Sequence, residues 1–326
     1  MKNTTMQDIA NKVGVSKTTV SRALNDNKEI SESMKQQILK VAHDMDYVIN
    51  QNASSLKSKK SKTIGLITNT LINESGEDFY TRILKKLSLE LSSRGYNLVF
   101  EIYDELVSDS IPSIANNTKV DGMILMSEFS MEFFVKYDRL NIPTVLIDYK
   151  LDSNIYTSIS TNNFQSASNA VEYLIEQGHK NISFVGDKEK TRSVLERYYG
   201  YKMSLEMHNL NKFPRVYKAA SDEYVNLNDE VTAYFCHTDK EAYELIQYFT
   251  GKGINVPKEV SILGFDDTFY SDFSKIKITT MKVDLDAFVH KAASHLIALI
   301  NGEDALVENM TVIATVVEKD SVQNIK

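Results

Sequence analysis

The chain has 326 residues, 42% hydrophobic and 25% charged, a folded globular composition too long for one typical core, so two or three domains are expected. No apolar run approaches the roughly 20 residues that span a bilayer, and the N-terminus MKNTTMQDIANK lacks the apolar centre of a secretory signal. Cys236 has no second cysteine to pair with, so an internal disulfide is excluded and a cytoplasmic protein without membrane contact is expected.

The net charge of −7 argues against a nucleic-acid partner until its distribution is considered. Residues 1–62 hold ten Lys and one Arg against six acids, a net of +5, which leaves −12 on the rest. A basic head on an acidic body fits a DNA-contacting module attached to something else.

Residues 6–25, MQDIANKVGVSKTTVSRALN, read as two short helices joined by a glycine turn. Met6, Ile9, Ala10 and Val13 share one helical face, with Thr5 as N-cap and Asp8 completing a capping box. Gly14 ends that helix in a left-handed conformation, Val15 packs between the helices, and Ser16 caps the second. The second helix, about residues 17–24, buries Val20, Ala23 and Leu24 and leaves Lys17, Thr18, Ser21 and Arg22 on or beside its open face. Such side chains read base edges and grip phosphates; the bland alternative is a helical hairpin with a soluble outer face.

Ser31 is placed to cap a third helix, about residues 32–44, that buries Met34, Ile38, Val41, Ala42 and Met45, with Tyr47 closing the small core. A domain this small is marginal, so help from a partner subunit or DNA is expected. NQNASSL, residues 50–56, and the following KSKKSK admit two readings. They are a flexible tether, or a helix formed on DNA that wedges Leu56 into the minor groove while Lys57 meets phosphate. Spacing alone does not choose between them.

From Thr63 the pattern alternates strand and helix: TIGLIT, a helix over 79–94, strands at 97–102, 122–126 and 144–148, and a helix over 163–176 stopped by Gly178. NISFVG, TAYFC and VSILGF repeat the rhythm in a second sheet. Near-continuous apolar strands imply parallel sheets covered on both faces, and two successive lobes imply a cleft with ligand-facing residues at carboxyl strand ends.

DIANKVGVSKTTVSRALN, AHDMDYVIN, ASSLKSKKSKTIGLI, QGHKNISFVGD, RYYGY and VSILGFDD, in that order, resemble the lactose-repressor/galactose-repressor (LacI/GalR) family of bacterial transcription regulators along essentially the whole chain. The resemblance implies a small all-α helix-turn-helix headpiece (1–48), a hinge helix and linker (49–62), and a two-lobed α/β periplasmic-binding-protein-like effector and dimerisation domain (63–326). It implies a homodimer that binds operator DNA and is controlled by a small effector of the sugar or sugar-derivative type, with no cofactor, metal or catalysis. Lys17 and Thr18 would occupy specificity positions and Arg22 a base or phosphate contact, with Thr5, Ser16, Thr19, Ser21 and Asn25 around them. In the hinge, Leu56 would be the wedge with Ala53 beside it, flanked by Asn50 and Lys57; the resemblance thus favours the second reading of that stretch. Phe79 and Tyr80 match aromatic residues at the cleft rim, Arg197 the arginine that grips ligand hydroxyls or a carboxylate, and Asp266 an acceptor for sugar hydroxyls.

Four positions depart from the family pattern: Ile49 replaces a proline, Asp78 a proline, Asn162 an aspartate and Thr238 an asparagine. Asn162 and Thr238 are retained as effector contacts, but three of the four changes fall on the ligand side and leave the effector open to a nucleobase, another metabolite or a phosphoprotein corepressor. Asp266 and Asp267 could form a catalytic carboxylate pair, yet adjacent strand-end residues point apart, so one is expected to bind ligand and the other to hold structure. His179 is expected as a helix C-terminal cap cation, Cys236 and His237 as core and rim, and the RYYGY tyrosines as divided between packing and cleft. Neither GxGxxG nor GxxxxGK[ST] occurs, so an enzyme is the minor reading, as is a transport receptor.

Overall fold

A computed structural model describes residues 4–24, 29–45, 47, 60–69, 77–105, 107–108, 110–116, 119–151, 155–210, 216–218 and 231–326. The chain divides into two compact units, Met1–Ser61 and Lys62–Lys326.

The first unit contains α1 (Met6–Val13), α2 (Lys17–Leu24) and α3 (Glu32–Asp44). Thr5 and Asp8 form the reciprocal capping box, and Gly14, at φ +82°, accepts the left-handed turn that a Cβ would strain. Ser16 Oγ accepts from Thr19 N at 3.0 Å, satisfying one free donor of α2. Ile9, Ala10, Val20, Ala23, Ile38 and Ala42 form the core, with Val15, Met45 and Tyr47 packed around it. Ser31 differs from expectation. Its backbone is extended but its hydroxyl makes no cap bond and lies 3.3 Å from Ser33 Oγ.

The second unit is built on two six-stranded sheets. The first contains β1 (Thr63–Asn69), β2 (Asn97–Tyr103), β3 (Gly122–Met126), β4 (Thr144–Ile147), β5 (Thr157–Thr161) and β11 (Asn309–Val312), in the order β11-β5-β4-β3-β1-β2 and parallel throughout. The second contains β6 (Ile182–Val185), β7 (Val216–Tyr217), β8 (Ala233–Cys236), β9 (Ser261–Phe265), β10 (Thr279–Lys282) and β12 (Thr315–Val317), in the order β12-β10-β9-β8-β6-β7. Only the β10–β12 pairing of that sheet is antiparallel among the described strands.

Helices α4 (Glu77–Ser93), α5 (Ser113–Asn116), α6 (Met131–Tyr137) and α11 (Leu285–Asn301) pack with the first sheet. Helices α7 (Asn163–Glu176), α8 (Arg192–Met207), α9 (Asp239–Gly251) and α10 (Phe269–Phe273) belong to the second lobe. The chain therefore passes between lobes three times: from β5 into α7, from β10 into α11, and from β11 into β12. Gly200 lets α8 lie close on α7, since a Cβ there would meet the Phe164 carbonyl at 2.2 Å.

Full coverage holds for β3 and β4, whose residues are all buried, but not for β2. That strand is the sheet edge and leaves Val99, Phe100 and Ile102 exposed, because an edge strand lacks a neighbour to cover its outer side. His179 also corrects expectation: it is 2% exposed, with Nδ1 3.0 Å from Thr232 Oγ1 and Nε2 3.1 Å from the Gln323 carbonyl. Burial lowers its pKa, so it is a neutral tie to the C-terminal segment and not a cap cation.

Candidate functional sites

In the first unit, α2 presents Lys17, Thr18 and Arg22 to solvent, while Thr19 and Ser21 are half-buried. Thr5 and Ser16 are engaged as caps. Arg22 Nη1 pairs with Glu29 Oε2 at 2.9 Å, with side chains 51% and 65% exposed. A pair so exposed is worth about 0–1 kcal/mol and gives way readily to a phosphate. Asn25, Asn50, Ala53, Leu56 and Lys57 lie outside the described residues, as does most of the hinge.

In the second unit the polar groups converge where strands end. Ser127, Asp148, Asp266 and Asp267, just beyond β3, β4 and β9, all have positive φ, 82°, 57°, 93° and 49°. Non-glycine residues in that region carry strain of order 1–3 kcal/mol each and concentrate at ligand sites.

Arg197, on the second turn of α8, is 6% exposed and makes a contact with each of its three nitrogens. Its Nε donates to Asn163 Oδ1 at 2.9 Å, Nη1 donates to the His237 carbonyl, and Nη2 lies 3.2 Å from Asp266 Oδ1. The guanidinium also stacks 3.7 Å above the Phe265 ring centroid. Opposite this pair, Tyr80 of α4 donates its hydroxyl to Asp148 Oδ2 at 2.6 Å. Burial first, and then Asp148, raise the Tyr80 pKa well above its ordinary value. Burial lifts Asp148 to about 6, against the opposing hydrogen bond of Tyr80 and the charge of Arg197, with Asp266 and Glu128 pushing the same way as burial. Each pair is thus within electrostatic reach of the other, and the two face each other across the lobes.

Beside them lies a cavity of about 270 Å³ lined in part by Glu128, Asp148, Lys150, Thr161, Asn162 and Arg192. The Thr161 Oγ1 is buried without a hydrogen-bond partner. Tyr198 and Tyr199 border an adjacent open groove, whereas Tyr201 is buried and donates to the Ile182 carbonyl at 2.8 Å. One RYYGY tyrosine, Tyr201, therefore packs as expected, whereas Tyr198 and Tyr199 border the groove and not the cavity beside the polar pairs.

Not every expected effector residue points a free group at this space. Phe79 is 4% exposed and packs in the core, edge-on to Tyr80 at 5.5 Å. Asn162 and Thr238 cap α7 and α9, accepting from Gln165 N at 3.1 Å and Glu241 N at 3.3 Å. Asn162 also lines the cavity. Asp267 is held away by Lys319 at 3.0 Å and Lys282 at 3.2 Å, which separates its role from that of Asp266.

Sequence reasoning missed Asp148 and Asp239. Asp148 closes the TVLID strand, and a carboxylate at a strand end was the available signal. Asp239 is fully buried and accepts from Thr268 N at 2.6 Å, Thr268 Oγ1 at 3.1 Å and Thr280 Oγ1. It braces the loop that carries Asp266 and Asp267; no local pattern reveals contacts of that range.

The helix-turn-helix and the bilobed body with strand-end polar pairs define a DNA-binding regulator carrying a ligand-binding module. Residues 5–50 match the family of bacterial regulatory proteins, lacI family, and residues 171–322 the periplasmic binding protein-like domain. The probable HTH-type transcriptional repressor ExuR of Bacillus subtilis (strain 168) is 31% identical over 334 residues, covering 98% of this chain and 99% of its own. The lac repressor dimer bound to operator and the anti-inducer ONPF aligns with a TM-score of 0.77 at 21% identity, over 99% of this chain and 100% of its own. A CelR–cellobiose complex aligns with a TM-score of 0.70 at 19% identity, over 98% and 100%. The chain belongs to the LacI family of bacterial regulatory proteins, and it is a DNA-binding transcriptional regulator.

Proposed function

We propose that this regulator is a homodimeric repressor of carbohydrate-utilisation genes, released from or held on its operator by a sugar-type effector bound between the lobes. The observation that carries the effector reading is the buried Arg197–Asp266 pair facing Tyr80–Asp148. Fixed donors and acceptors at strand ends suit vicinal hydroxyls. The name of the Bacillus subtilis relative supports the repressor reading, and the cellobiose-bound neighbour supports the sugar reading. Exposed Lys17 and Thr18 would read base edges, and Arg22 would exchange Glu29 for DNA. In the hinge, Leu56 is assigned the minor-groove wedge by family resemblance.

The test is fluorescence anisotropy on the gene's own upstream DNA at stated salt, alone and with D-glucose, D-galactose, L-arabinose, D-glucuronate, glucose 6-phosphate or hypoxanthine. Specific binding altered by at least one sugar is expected. Affinity no better than for random DNA overturns the repressor reading, and a response confined to hypoxanthine overturns the sugar effector.

A further inference from the structure

Arg82 stands on α4, two residues beyond Tyr80, in the first lobe. Its Nη1 donates to the carbonyl of Asp267 at 2.5 Å and lies 3.4 Å from that of Asp266, both in the second lobe. Among the described residues these two carbonyls are the guanidinium's hydrogen-bond partners.

The turn it grips is the one that presents the Asp266 carboxylate to Arg197, and both of its residues are left-handed. On the second-lobe side Asp267 is already fixed by Lys319, Lys282 and a 3.4 Å bond from its own N–H to Thr280 Oγ1. The opposite side, the carbonyl edge, is held by Arg82 alone among the described residues. Both contacts are made by one nitrogen, Nη1, which carries two N–H groups and so reaches two adjacent carbonyls at once. The same helix therefore sets Tyr80 on Asp148 and Arg82 on the Asp266 turn, so both polar pairs of the cleft are referenced to α4.

We propose that Arg82 is a positioning residue that latches the lobes across the cleft and holds Asp266 at the geometry an effector needs. The effector half of this proposal rests on the function proposed above; the latch half does not. A lobe arrangement in which the latch is broken would carry a displaced acceptor, so closure and acceptor placement are one event.

The test uses the full chain with spin labels at Lys136→Cys in the first lobe and Lys252→Cys in the second, with native Cys236 buried. Pulsed dipolar distances are compared for the parent, Arg82→Met and Arg82→Lys, each without added sugar. The methionine variant should lose at least threefold of the short-distance population and lysine should restore part of it; identical distributions overturn the latch. Sugar affinity is then measured calorimetrically for each compound of the panel above that binds the parent. A fivefold or greater weakening in Arg82→Met, with a melting temperature matching Arg82→Lys, is expected, and unchanged affinity overturns the positioning role. If none of the panel binds the parent, the sugar reading fails while the distance measurement still decides the latch.

Discussion

Arg197 Nη2 lies 3.2 Å from Asp266 Oδ1, and both side chains are 7% exposed. Breaking such a buried pair by removing one partner costs about 3–5 kcal/mol, because the other charge is left unpaired. Asp266→Ala therefore tests stability and effector binding together. Asp266→Asn keeps an acceptor for Arg197 and separates them. It should blunt the sugar response while losing about 2 kcal/mol less stability than alanine. Urea unfolding and sugar-dependent operator release, measured on both variants, check this; equal stabilities would show that Arg197 finds another partner.

If Arg22 meets DNA as proposed, its ion pair with Glu29 must open first. Glu29→Gln should tighten operator binding about two- to fivefold, the range of a weak exposed ion pair plus one removed like charge near phosphate. Anisotropy at two salt concentrations measures it. No change at low salt would mean that Arg22 does not reach the DNA.

Asp239 is pushed up to about 8 by burial, despite hydrogen bonds from Thr280 and Thr268, with Asp266 adding to the rise. Its folded pKa lies above its unfolded value near 4, so the folded state binds the extra proton between about pH 4 and 8. That contribution to stability is present at low pH and is lost as pH rises through the window. Asp148 adds a change of the same sign up to about pH 6. Asp239→Asn should be less stable than the parent at pH 5, with the gap narrowing by pH 8. Urea midpoints for both proteins at the two pH values decide it, and a gap independent of pH refutes the assignment.

Thr5 supports α1 through both halves of the capping box. Thr5→Ala should destabilise the first unit by about 1 kcal/mol. Because that unit has a small core, the loss should appear as weaker DNA binding at 37 °C than at 15 °C, relative to the parent. Parallel losses at the two temperatures would point to a lost DNA contact instead.

The helices of the first unit were legible to the residue because their signals are local: caps, a glycine turn and an apolar face within 20 residues of one another. Arg197 and Asp266 were legible through the RYYGY and GFDD blocks, which resemblance supplied and spacing did not. Pairings across long sequence separations were not. The Tyr80–Asp148 bond spans 68 residues and the Arg82 contacts span more than 180, so no window of sequence contains both partners. His179 was misread for the same reason: the helix does stop before Gly178, but the Thr232 and Gln323 partners of the buried imidazole lie far along the chain. Strands β7, β10, β11 and β12, two to four residues each, were too short for alternation to register.

Strand β11 completes the edge of one sheet and β12 that of the other, only a few residues later. Before residues 309–317 leave the ribosome, β5 and β10 each lack the strand that covers their outer edge, which leaves unpaired backbone groups open to a neighbouring chain. A message broken upstream of this segment would therefore yield a DNA-reading head on an aggregation-prone body.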